Sequence, residues 1–204
     1  MKYPIGIQDF ESLRTNDYTY VDKTSLIYKL ANEGKYYFLS RPRRFGKSLL
    51  VSTLSAYFSG KRELFKGLEI EQLEKDWKKY PVMHLDLNTD KYDSKEVLEQ
   101  RLNLFLSDWE EDYGRNINEV TLSQRFEGII KRIAIKEGMP VVILVDEYDK
   151  PMLQAISNKE LQTAYRNTLK AFYGALKSQD KYIRFAFLTG VTKFGKVSVF
   201  SDLN

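Results

Sequence analysis

Arg41-Pro42-Arg43-Arg44-Phe45-Gly46-Lys47-Ser48 has residue types and spacing suited to one chemistry, the holding of phosphate. It follows the phosphate-loop pattern except at the first glycine position, where Arg41 stands. Gly46 lets the backbone approach phosphate oxygens closely. Lys47 can bridge the β- and γ-phosphates of a nucleotide, and Ser48 can ligate magnesium. The backbone amides from Arg43 to Leu49 span the loop and the start of a helix, where the helix dipole favours negative charge. A basic loop that caps a helix by chance is the plain alternative, and Gly-Lys-Ser alone does not remove it. Arg41, Arg43 and Arg44 carry more positive charge than a phosphate loop needs. Contact with nucleotide, a neighbouring subunit or nucleic acid stands against simple solvated charge for these three.

The second chemical group is Asp146-Glu147, directly after the apolar run Val141-Val142-Ile143-Leu144-Val145. Beside a phosphate loop, Asp146 would hold magnesium together with Ser48, and Glu147 would act as general base on the attacking water. A glutamate next to the magnesium aspartate points to hydrolysis rather than phosphoryl transfer to another substrate. Asp149 is expected to cap the helix that follows, against the alternative of helping to position the metal. Thr189 ends another apolar run and could bond the γ-phosphate or the water, against the alternative of a turn residue before Gly190. Lys193 could approach the phosphates or be surface charge. Asp86 reads as a polar strand end, His84 as a mid-strand position, and Trp77 and Trp109 as packing residues. Arg166 is a weak candidate for an arginine supplied to an adjacent subunit.

These groups need a scaffold that brings them to one place. Residues 36–39, 82–87, 141–145 and 183–188 read as strands. Helical spacing marks residues 48–58, 94–113, 122–137 and 159–177. Alternating strands and helices predict an α/β fold, a three-layer P-loop NTPase of AAA/ASCE type with a central, mostly parallel sheet flanked by helices. In such a sheet the ligand lies beyond the carboxyl ends of the strands. Residues 40–48, Asp86, Asp146, Glu147 and Thr189 should therefore converge there.

With 204 residues and 43% hydrophobic content, the chain is long and apolar enough for one globular domain. It has no cysteine, which excludes disulfides and thiolate chemistry and suits a cytoplasmic location. No run approaches membrane-spanning length, so no membrane partner is expected. The formal charge of +4 permits nucleic-acid contact without arguing for it.

In combination, five blocks resemble the bacterial AAA-ATPase-like family. They are Ile5-Gly6-Ile7-Gln8-Asp9-Phe10, Tyr20-Val21-Asp22-Lys23-Thr24, the loop from Ser40 to Ser48, Val145-Asp146-Glu147-Tyr148-Asp149-Lys150-Pro151, and Leu188-Thr189-Gly190-Val191-Thr192-Lys193-Phe194. The resemblance makes Arg41 a family trait. It implies ATP and Mg2+ as cofactors, and a nucleotide pocket completed by the segment before the first strand. Phe10, Tyr20 and Asp22-Lys23-Thr24 are the positions it suggests near adenine or ribose, against a core aromatic pair and a helix start at Asp22. It also implies a PD-(D/E)xK nuclease-like domain after this region, so residues 1–204 are expected to be a single domain cut off before a lid and that domain. Homo-oligomerisation, and nucleic-acid contact through the missing domain, stay open. So does the choice between an ATP hydrolase and a nucleotide-dependent switch with negligible turnover.

Overall fold

The computed structural model describes residues 2–192; Lys193 and the rest of the last block lie outside the described residues. Four strands, β1 (Tyr36–Ser40), β2 (Val82–Asp86), β3 (Val141–Asp146) and β4 (Ile183–Gly190), form one sheet. Their order is β1-β4-β3-β2, and every neighbouring pair is parallel. The helices are α1 (Phe10–Thr15), α2 (Thr24–Glu33), α3 (Lys47–Phe58), α4 (Glu69–Leu73), α5 (Lys95–Tyr113), α6 (Leu122–Glu137), α7 (Lys150–Gln154) and α8 (Lys159–Ser178).

β3 explains the layering. All six of its residues are buried, and the five apolar ones alternate between two cores. Val142 and Leu144, with Phe185 and Phe187 of β4, pack on one face beside Val51, Leu54 and Phe58 of α3. Val141, Ile143 and Val145, with Ala186 and Leu188, pack on the other beside Ile129 and Ile133 of α6 and Leu169 of α8. A strand covered on both sides has no polar face, which is why its sequence is an unbroken apolar run. Each such side chain contributes about 2 kcal/mol through burial. β2 is an edge strand; Met83 and Leu85 are buried while His84 between them is exposed.

The eight predicted elements occur at the expected places, with ends moved by at most two residues. β4 continues to Gly190, so Thr189 is a strand residue and not a turn residue. α1, α4 and α7 are six, five and five residues long, too short for a helical period to show. Trp77 packs on Phe65 and Tyr57, and Trp109 on Tyr113. No helix among the described residues is long and apolar enough to cross a membrane.

Candidate functional site

The parallel register puts four strand ends on one rim. Asp86 faces Asp146 across β2 and β3, and Ser40 faces Gly190 across β1 and β4. β1 leads into the loop, and Gly46, at φ 73°, turns the chain into α3. No side chain caps α3, and the first helical bond at its start is the Leu50 amide to the Gly46 carbonyl at 3.0 Å. The amides of Gly46, Lys47, Ser48 and Leu49 therefore have no helical acceptor, as at any helix start, and remain available to an anion. Arg44 is also left-handed, at φ 66°.

Glu147 is left-handed as well, at φ 53°. It steps out of β3 while Tyr148 returns to the sheet, its amide bonding the Thr189 carbonyl at 2.8 Å. Non-glycine residues in this region store strain of about 1–3 kcal/mol, held by surrounding bonds. Here the Glu147 amide is fixed by Asp146 Oδ1 at 3.1 Å and Thr189 Oγ1 at 3.3 Å. The Glu147 carboxylate then meets Lys47. The Nζ–Oε1 distance is 3.0 Å, with the lysine side chain 3% and the glutamate side chain 15% exposed. Lys47 Nζ also donates to the Pro42 carbonyl at 3.3 Å.

Lys47 and Glu147 line a cavity of about 700 Å3, a size usual for a cofactor site. Arg43, Arg44, Gly46, Ser48 and Leu49 line it too, so most of the phosphate-loop candidates meet there. Among the described lining residues Arg43, Arg44, Lys47 and Lys150 are cationic and Glu147 alone is acidic. The space is therefore electropositive. Apolar Ile5, Ile7, Leu49 and Leu153 and the amides Gln8 and Asn88 complete it.

Asp146 and Thr189 stand behind this wall and do not line it. Thr189 is fully buried and its hydroxyl donates to Asp146 Oδ1. Asp146 is 4% exposed. Among the described residues its Oδ2 accepts no hydrogen bond, and no cation lies within ion-pair distance of it. Phe45 is 68% exposed and outside the cavity. Arg166 is half-buried on α8, its Nε without a partner, and it does not line the cavity.

Asp149 corrects an expectation. It occupies the N-cap position of α7, but its side chain makes no capping bond. Fully buried, it accepts instead from the amides of Val191 and Thr192 and from the Thr192 hydroxyl, at 2.6–3.1 Å. It clasps the exit of β4. Gly190 must be glycine for this, since a Cβ there would lie 2.6 Å from Asp149 Oδ1.

The segment before β1 reaches the cavity through Ile5-Gly6-Ile7-Gln8, not through Phe10 or Asp22. Phe10 is fully buried, with its ring on Tyr20 at 5.3 Å and Phe65 at 4.9 Å. The Asp22 carboxylate accepts from the Thr24 amide and hydroxyl and from the Glu69 amide, tying α2 to α4. Burial pushes the Asp22 carboxyl up, but those bonds outweigh it and hold the group below the usual carboxylate range. What brings Ile5–Gln8 in is Asp9. Its Oδ2 caps α1 through the Ser12 amide at 2.7 Å, and its Oδ1 accepts from Ser52 of α3 at 3.0 Å. The N-terminal segment is thereby pinned alongside the helix that starts with Lys47. Sequence reasoning named this block but chose its aromatic residue. It passed over Asn88, two residues beyond Asp86, and Lys150, four residues beyond Asp146 at the start of α7.

Comparisons with known proteins agree with this geometry at the level of family. The sequence pattern of a family described as predicted AAA-ATPase matches residues 4–200. An uncharacterized protein from the region 5′ of vnfD in Azotobacter chroococcum mcd 1 is 40% identical over 205 residues, a match covering 100% of this chain. The chain spans 40% of that relative's length. No solved structure matches the chain. With nearly every described residue inside the matched range, the chain belongs to the predicted AAA-ATPase family.

Proposed function

We propose that the cavity binds ATP together with magnesium, that Glu147 directs hydrolysis of the nucleotide, and that turnover drives or regulates a further part of a longer protein. One observation carries this reading. The phosphate-loop lysine and the acid after β3 come within 3.0 Å of each other at one electropositive cavity. A P-loop fold with the nucleotide at the carboxyl rim of a parallel sheet accounts for that convergence. The open amides at the start of α3, with Lys47, Arg43 and Arg44, suit the phosphates. Ile5, Ile7, Leu49 and Leu153 offer the apolar contacts a base would need, and Gln8 an amide to read its edge.

The residues fit magnesium. Asp146 presents a nearly buried carboxylate oxygen without a donor among the described residues, and Ser48 lines the cavity. Those two would hold the ion, which when bound neutralises phosphate charge. Thr189 fixes the Asp146 carboxylate through Oδ1, leaving Oδ2 for that role. Lys47 is paired with Glu147, so phosphates entering the cavity would compete with Glu147 for its ammonium. Once Lys47 turns to them, Glu147 is free to take a proton from the water attacking the terminal phosphorus.

The test is a titration of labelled ATP with and without magnesium, on the wild type and Lys47→Ala. Losing a charge-assisted contact worth about 3 kcal/mol weakens binding about 100-fold, while cooperative melting persists. Equal affinity of the variant and the wild type for ATP would overturn the proposal.

A further inference from the structure

Lys150 is a cavity-lining cation that neither the phosphate loop nor the acidic strand end accounts for. It opens α7, and its amide donates to the Glu147 carbonyl at 3.0 Å, so it stands beside the residue assigned to the attacking water. Its Nζ donates to both oxygens of Asn88, the main-chain carbonyl and Oδ1, the latter at 2.8 Å. Asn88 lies just beyond β2, so the side chain reaches from the end of β3 to the end of β2. Both acceptors are neutral. Among the described residues, no carboxylate lies within ion-pair distance of Lys150.

That separates it from the other cations of the cavity. Lys47 is neutralised by Glu147, and Arg43 and Arg44 are exposed on the loop. An ammonium has three donors, and Asn88 takes two. One donor and the whole charge remain for a ligand. A cation already held in place stabilises negative charge without reorganising when that charge develops. In phosphoryl transfer such a cation can come from the same chain or from a partner.

We propose that Lys150 contacts the terminal phosphoryl group of the bound nucleotide, with Asn88 as its positioning residue, so that this chain supplies the transition-state cation itself. The proposal rests on the nucleotide reading above. It predicts discrimination between nucleotides, since only ATP has the group Lys150 would touch.

The experiment measures ATP and ADP affinities, and turnover, for the wild type, Lys150→Met, Lys150→Arg and Asn88→Ala. Methionine keeps the stem without the charge, and melting curves check the fold. Lys150→Met should weaken ATP about tenfold and leave ADP within about twofold, as expected for one charged contact to the terminal phosphate. Turnover should fall about 100-fold or more, and arginine should restore most of both properties. Asn88→Ala should shift the same ratio in the same direction by a smaller factor. An unchanged ATP-to-ADP affinity ratio in Lys150→Met would overturn the assignment. If Lys47→Ala still loses both nucleotides in that case, the nucleotide reading survives and only the role of Lys150 falls. If the wild type binds neither nucleotide, both fall together.

Discussion

The two walls of the cavity are built in opposite ways. Behind Glu147, Asp146, Thr189 and Asp149 are buried and hydrogen-bonded to one another or to the exit of β4. Across from it, Arg43, Arg44 and Gly46 are exposed, and two of them hold left-handed backbone. The acidic wall is closed on itself except at Asp146 Oδ2, which accepts no hydrogen bond among the described residues. The loop presents exposed charges, and the amides at the start of α3 have no helical acceptor. The difference separates two expectations: Asp149 and Thr189 should act mainly through folding, and on the proposed reading Arg43 and Arg44 should act through binding.

Asp149→Ala should give the largest effect, and it should appear in stability. The change removes a buried carboxylate and strands the amides of Val191 and Thr192. Lost charge-assisted bonds and unsatisfied donors amount to about 4 kcal/mol. For a domain of this size that lowers the melting temperature by about 10 °C, read by calorimetry. Asp149→Asn, which keeps one acceptor oxygen, should fall between the two. A variant as stable as the wild type would show that the acidic wall is not held together by its clasp.

How much of this was legible in the sequence follows from the same contrast. The unbroken apolar run of β3 and the acids after it are local signals, and so is Gly46-Lys47-Ser48. Strand order then brings them together as the rule for parallel sheets requires. Asp149 was misjudged because an aspartate before Lys150-Pro151 has the same local signature whether it caps a helix or accepts from a distant loop. Ile5–Gln8 reach the cavity only because Asp9 bonds Ser52, 43 positions away, a pairing no local pattern contains. Phe10 and Asp22 carry the same limit. Residue type says that an aromatic ring will be covered and a carboxylate bonded, but not by what.

Glu147→Gln probes the point where the walls meet. Turnover should drop about 100-fold with loss of the general base. ATP should bind several-fold tighter, because Lys47 no longer has a carboxylate to leave. A neutral amide competes less well for the ammonium than a carboxylate at 3.0 Å. Stopped-flow binding and a phosphate-release assay separate the two effects. Loss of turnover without tighter binding would mean that the ion pair does not oppose nucleotide entry. Unchanged turnover would favour a nucleotide-dependent switch over a hydrolase.

Arg44→Gly should give the smallest effect, and it tests the exposed wall directly. Glycine accepts the backbone at φ 66° without a Cβ penalty, which favours the folded state. It also frees the unfolded chain, which opposes that gain by a similar amount of about 1 kcal/mol. Stability should therefore barely move. The missing guanidinium should be felt only by the ligand, as a roughly threefold weaker ATP affinity that shrinks further as salt is raised. A calorimetric scan and an ATP titration at two salt concentrations give both quantities. A large loss of stability with unchanged affinity would reverse the division of labour between the walls, making the loop a structural element and leaving its excess charge to some partner other than the nucleotide.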